Sequence, residues 1–515
     1  MRNKKNWVGI ILCILIVHVS MAPAQGQRGQ APPPLTDEQK LCAAMHLIES
    51  QTLYDYVKEL TSEKFGGRLT GTPEFNASAE WVISLLKKWG VQPAGDKGTY
   101  LQAFPNPYTL VFKGGLLTMN IPVKDGIIKK PYKYEEEFIP GGTTASGEVT
   151  AEVVFVGFGV TAPELAYDDY AGMDVKGKIV LMDPEVPMAA SDTSEVFKKW
   201  RPYSFHQYKL ENAVAHGAKA MIYNYGPIGN PNNSYREGFV YHHVGPAVVS
   251  DVFAGTGKTY AETMAKIRKE LKPQSFATGK IMTIKNVAER HHEGIGYNVL
   301  GVIPGTDPAL KDDVIILGGH LDHLGHCWEL MPGANDNATA VAVGLGVAEA
   351  MAKSAIKPKR TVLFIFFGSE EQAVAGSDFY CEHPLYPLDR TLVFMNMEGP
   401  GMGDRINASG ARTYPAFWSF IEKANDKYIH RIVSGGPASY PGRPRQDSAR
   451  FFWKGVPSLT FGASGKSVPY ATYHNTRDSL ELVTPEIMED IAQLFFMAIM
   501  DMSDEPALNF RPEKK

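Results

Sequence analysis

From residue 295 onward the chain carries short, uninterrupted apolar runs: YNVLGVI (297–303), VIILGG (314–319), TVLFIFF (361–367), LVFMNM (392–397) and PSLTFG (457–462). Runs of that length, rich in β-branched and aromatic residues, read as strands buried on both faces. Helical patterns separate them. NATAVAVGLGVAEAMAKS (337–354) puts Val341, Leu345, Ala348 and Ala352 on one stripe, and TPEIMEDIAQLFFMAIMDM (484–502) sets Thr484 where an N-cap belongs. Alternation of this kind predicts an α/β fold, a mixed and mainly parallel sheet flanked by helices. Upstream, residues 40–60 are helical in pattern. TPEFNASAEWVISLLKKWG (72–90) places Phe75, Trp81, Leu85 and Leu86 on one face and ends at Gly90. FGGRLTG, between these helices, reads as a flexible loop.

Residues 145–275 differ in texture. GEVTAEVVFVGFGV, GKIVLM and KAMIYNYG are strand-like, and YKLENAVAHGA is a short helix. The stretches YDDYAGMDVKGKIVLM and NAVAHGAKAMIYNY resemble the protease-associated domain, a small β-rich insert of several exopeptidase families. That gives an expected organisation of 25–144 as the N-terminal part of the main domain, 145–275 as the insert and 276–515 as the rest of the main domain. AGTGKTY, near the end of the insert, looks like a phosphate loop, but the pattern's first glycine is Val252. A turn into a helix starting after Thr259 accounts for its glycines.

Before residue 25 the pattern is that of a signal peptide. Arg2, Lys4 and Lys5 precede the apolar run WVGIILCILIVHV, and APA at 22–24 offers a small-residue cleavage site. Export, to the periplasm or outside the cell, is expected, with residues 1–24 removed and no membrane span in the mature chain. The net charge of −4 comes with no basic block, which argues against a nucleic-acid partner. Cys42, Cys327 and Cys381 of the mature chain are too few for a disulfide framework, and one bridge plus a free thiol stays open.

In parallel sheets ligands bind beyond the carboxyl ends of the strands, so the residues just after each run carry the chemistry. They are polar in a consistent way. His320 and Asp322 follow the second run, Glu370 and Glu371 the third, Glu398 the fourth, and His474 comes after the fifth; Asp336 opens the helix after PGAN. Imidazoles mixed with carboxylates on one rim suit Zn²⁺, with Mn²⁺ or Co²⁺ as lesser candidates. Each residue also has an ordinary role. Asp336 is a good N-cap, Glu370 and Glu371 complement a helix dipole, and His323 and His326 read better as loop histidines than as ligands.

The ordered motifs GGHLDHLG, PGANDNATA, FFGSEEQAVAGS, MNMEGPG and YHNTRDS resemble the co-catalytic zinc exopeptidases of clan MH, specifically the aminopeptidase Y family, which also includes the transferrin receptor. The resemblance implies two zinc ions per chain. His320 and Glu398 would hold one, Glu371 and His474 the other, with Asp336 bridging. It also implies a cis peptide bond at Asp336–Asn337, Asp322 accepting the proton of the far nitrogen of His320, and Glu370 as general base. Glu398 departs from the aspartate usual there. The implied activity is hydrolysis of peptide substrates from the amino terminus. A carboxypeptidase or dipeptidase on the same site is the alternative, with Arg443, Arg445 and Arg450 as candidate carboxylate clamps. A glutaminyl cyclase or a non-catalytic binding protein stands further off. Tyr440 is a candidate to steady the tetrahedral intermediate, Cys327 reads as a bystander near the site, and the oligomeric state is not legible.

Overall fold

The computed structural model describes residues 34–191, 193–231, 234–440, 445–465 and 472–511. The proposed signal peptide and Arg443 lie outside them. The five apolar runs form the strands β1 (Ile295–Ile303), β2 (Val314–His320), β3 (Thr361–Phe367), β4 (Thr391–Met397) and β5 (Ser458–Ser464) of one nine-stranded sheet. Its centre is parallel, in the spatial order β3-β2-β4-β5, and β1 adds to β3 antiparallel. All seven residues of β2 and of β3 are buried, which explains why their sequences are unbroken rather than alternating. The two glycines that end β2 answer to close packing: a Cβ at Gly318 would stand 2.1 Å from the carbonyl oxygen of Ile365 on β3.

The helices that pack this sheet include α1 (Pro73–Trp89), α2 (Thr339–Lys353) and α3 (Pro485–Asp504). Gly90 closes α1 in the left-handed conformation, as its place in the sequence implies. The buried face of α1 is Phe75, Ala79, Val82, Ile83 and Leu86, so Trp81 and Leu85 sit at its margin rather than on it. α2 differs more from expectation. It is buried on nearly every side, because the sheet, α1, α3 and the Ser50–Leu60 helix all pack on it, and its Ala, Gly and Val side chains let them approach. Thr484 takes the N-cap position of α3 without a side-chain capping bond. The FGGRLTG segment is not a flexible loop. Glu63–Arg68 forms tight turns that bury Phe65 through Arg68, with Gly66 and Gly67 at positive φ.

A second, ten-stranded sheet is built from strands between Tyr108 and His291, joined by the short pair His326–Cys327 and Glu329–Leu330. The segregated β-rich unit is therefore wider than 145–275 on both sides. The long strands Tyr108–Val123 and Phe276–His291 pair with each other inside the sheet, the first also with Gly126–Pro131 and the second with Gly147–Phe155, and neither shows a composition break where it starts. The helix Tyr260–Glu270 that follows AGTGKT is capped by the Thr259 side chain, which accepts the amide of Glu262. Among the described residues no helix is long and apolar enough to cross a membrane. Cys42, Cys327 and Cys381 are free thiols, and burial pushes that of Cys327 up to about 12, which leaves it inert.

Candidate metal centre

The centre lies where β2, β3 and β4 end. Parallel pairing sets His320 of β2 beside Phe367 of β3, so the residues following each strand emerge at one level. Asp322 then ties two of those ends together: its carboxylate oxygens accept the backbone amides of Glu370 (3.1 Å) and Glu371 (3.3 Å). Its role toward His320 is weaker than expected. The nearer acceptor for His320 Nδ1 is the main-chain oxygen of Asp322 at 3.0 Å, with the carboxylate at 3.6 Å. Both fix the ring so that Nε2 faces inward.

Asp336 stands between two imidazoles. Its Oδ1 lies 3.3 Å from His320 Nε2 and its Oδ2 lies 3.2 Å from His474 Nε2. Glu398 Oε2 completes one side, 3.3 Å from His320 Nε2, and Glu371 Oε2 the other, 3.1 Å from His474 Nε2. The Asp336–Asn337 peptide bond is cis. Asp478 holds this turn: its two oxygens accept the amides of Asn335 and Asp336, both at 2.9 Å. Asn337 and Asn396 donate to the two oxygens of Glu398, each at 3.3 Å, so the longer side chain at this position is fixed at both oxygens.

These separations discriminate among the donors. Ligands about 2.0–2.1 Å from a tetrahedral zinc stand roughly 3.3–3.4 Å apart. The four imidazole–carboxylate distances around Asp336, 3.1–3.3 Å, match that spacing. His323 does not. Its Nδ1 is 2.8 Å from Glu371 Oε1, a hydrogen bond that orients Glu371. His323, read from the sequence as a loop histidine and not a ligand, does lie in the loop after β2, where it bonds Glu371. It is fully buried against the centre, while His326 is exposed. His320, Asp336 and Glu398 form one group within metal-binding reach of one another, and on the other side Asp336 and Glu371 face His474, with His323 also within reach of both; this nitrogen–oxygen mixture around one shared carboxylate fits a pair of zinc ions.

The electrostatics follow from burying many acids together. Burial pushes Asp336 upward, but the imidazoles of His320 and His474 overcome it and hold the carboxyl well below the usual range. Glu371 behaves alike: against burial, His474 and His323 bring it down to about 2. Desolvation pushes the Glu370 carboxyl well above the ordinary range; His320 opposes that push, and Glu398, Glu371 and Asp447 add to it. Asp447 was not singled out in the sequence. It is fully buried beneath the site, and burial raises it to about 8. Arg68, also unforeseen, is the buried cation of the region. Burial pulls its guanidinium down to about 10, and Asp478, Asp322, Asp336 and Glu371 hold it up. It donates to the carbonyl oxygens of Leu60, Leu321, Pro332 and Gly333, so one side chain spans the loops that carry His320 and Asp336.

The remaining candidates are engaged elsewhere. Arg445 pairs with Glu185 at 2.6 Å and Arg450 with Asp378 at 3.2 Å. Tyr440 is buried, its hydroxyl 2.9 Å from Ser448 Oγ.

Residues 298–499 match the sequence profile of Peptidase family M28. The chain is 25% identical over 431 residues to an aminopeptidase of Pseudomonas aeruginosa, covering 79% of this chain and 69% of the relative. It is 24% identical to Aminopeptidase YwaD of Bacillus subtilis, covering 88% and 85%. Its fold is similar to that of an aminopeptidase from Aneurinibacillus sp. strain AM-1, at 20% identity and a TM-score of 0.61 over 92% of this chain and 98% of the other. With the strand-end residues assembled as described, residues 298–499 match peptidase family M28, and the chain is an enzyme of the metallopeptidase kind.

Proposed function

We propose that the chain is an aminopeptidase working with two zinc ions. The observation that carries this is Asp336, whose two oxygens face His320 and His474 separately at 3.3 and 3.2 Å, as a bridging carboxylate requires. His320, Asp336 and Glu398 would hold one ion, and His474, Asp336 and Glu371 the other. Bound zinc supplies Lewis acidity, polarising the scissile carbonyl and making water acidic near neutral pH.

The chain's own residues account for the proton. Glu370 is partly exposed, follows β3 and is in neither donor set; cations bound beside it would offset the push that burial gives its carboxyl and favour the carboxylate that takes the proton of the attacking water. It then returns that proton to the departing amine nitrogen, which is worth roughly 10²–10⁴ in rate. Asp322 fixes the Glu370 backbone and so the reach of its side chain. Amino-terminal rather than carboxy-terminal specificity is supported by Arg445 and Arg450, each already paired to an acid, and by the aminopeptidase names of the relatives. Export is proposed on the pattern of residues 1–24 alone.

The test is elemental analysis together with aminoacyl-anilide hydrolysis, for the wild type and Glu370→Gln. Near two zincs per chain in both, with turnover falling at least about 100-fold in the variant, is expected. Two zincs without anilide turnover in the wild type would move the specificity to carboxypeptidase or dipeptidase substrates. No zinc uptake would overturn the reading.

A further inference from the structure

His474 is reached from the other sheet. Its Nδ1 lies 2.8 Å from the carbonyl oxygen of Gly229, and the Gly229 amide donates back to the His474 carbonyl at 2.8 Å. Gly229 belongs to the loop that follows the strand Ala220–Tyr223, in the β-rich unit. The pair of bonds fixes the His474 ring in the tautomer that presents Nε2 to Asp336 and Glu371. The fit is close, since a Cβ at Gly229 would stand 2.9 Å from Leu324 Cδ1 and 3.5 Å from the His474 carbonyl.

What sets this loop is itself visible. His243, fully buried on the strand Val240–Val244, donates through Nδ1 to the carbonyl of Ile228 at 2.9 Å, one residue before Gly229. The Gly226 amide bonds to the Val244 carbonyl of the same strand at 3.1 Å. The His243 ring is wedged among Tyr223, Tyr225, Tyr241 and His206, so it has little freedom to turn. A second brace lies on the same segment. Glu135 accepts the amide of Thr476 at 2.6 Å and its hydroxyl at 2.9 Å.

We infer that the β-rich unit is a working part of the metal centre: His243, through the Ile228–Gly229 loop, is a positioning residue for His474. The inference rests on the two-zinc reading above, and it assigns the unit a role on one ion and not the other. Among the described residues the His320–Glu398 side has no comparable tie to that unit, because its second contacts come from Asp322, Asn337 and Asn396.

The experiment is calorimetric titration of zinc into the metal-free full chain, for wild type, His243→Phe and His243→Asn. His243→Phe is expected to weaken one of the two zincs about 10–100-fold and to leave the other within about twofold. His243→Asn, whose amide nitrogen takes the place of Nδ1, is expected to recover most of that loss. Glu135→Ala, a half-buried side chain whose loss leaves no cavity in the core, is expected to weaken the same zinc several-fold, and it serves if the His243 variants do not fold. Equal weakening of both ions, or no change in either with Glu135→Ala, would overturn the inference while leaving the two-zinc reading intact. A wild type that takes up no zinc would overturn both.

Discussion

Among single residues, the centre depends on groups that sit outside the donor set. Asp478 accepts two amides of the turn that presents Asp336, and hydrogen bonds to a charged acceptor are worth about 1.5–3 kcal/mol each. Asp478→Asn should therefore lower zinc affinity about 10–100-fold, read by competition with a chelating dye. Unchanged affinity would show that the turn holds itself. Arg68→Met should cost more than about 3 kcal/mol in urea unfolding, since it strands four buried carbonyls of about 1–3 kcal/mol each. His320, Asp336, Glu370, Glu371, Glu398 and His474 were legible because each follows a readable strand or opens a readable helix. Arg68 and His323 were not. Arg68 meets Leu321 across 253 positions, and His323 meets Glu371 across 48, and nothing local marks either partnership.

Elements tell a similar story with a different cause of error. The five strands were readable because burial on both faces leaves a continuous apolar run, a signal that survives without knowledge of neighbours. The wrap of neighbours around α2 was not readable, since small residues look alike on a stripe and in a core. The second sheet begins upstream of residue 145, and its Tyr108–Val123 strand is buried and exposed in runs rather than by alternation, so no two-residue period marks it. That sheet carries its own pH response. Burial pulls His242 from 6.5 to about 4, against the hydrogen bond to Asn286, so the folded chain resists protonation that the unfolded chain accepts. The resulting cost is absent above pH 6.5 and grows to about 3 kcal/mol as pH falls toward 4. Denaturant melts between these limits should show a flatter profile for His242→Gln than for the wild type. Parallel profiles would remove His242 as a source.

For the molecule as a whole, the two sheets meet at the candidate metal centre. β2, β3 and β4 bring carboxylates and His320 from one side, while Gly229 and Glu135 brace the His474 segment from the other. Removing metal should therefore loosen both sheets. An ion held at a free concentration 1,000-fold above its Kd adds about 4 kcal/mol to the folded state. Chelation should lower the melting midpoint by several degrees, and zinc should restore it; a midpoint indifferent to chelation would argue against ions bound in the folded chain.

The most direct measurement is anomalous diffraction at the zinc edge from zinc-loaded crystals. Two peaks are predicted about 3.5–4 Å apart, one against His320 and Glu398, the other against His474 and Glu371, with Asp336 touching both. A single peak, or peaks that Asp336 does not join, would contradict the account.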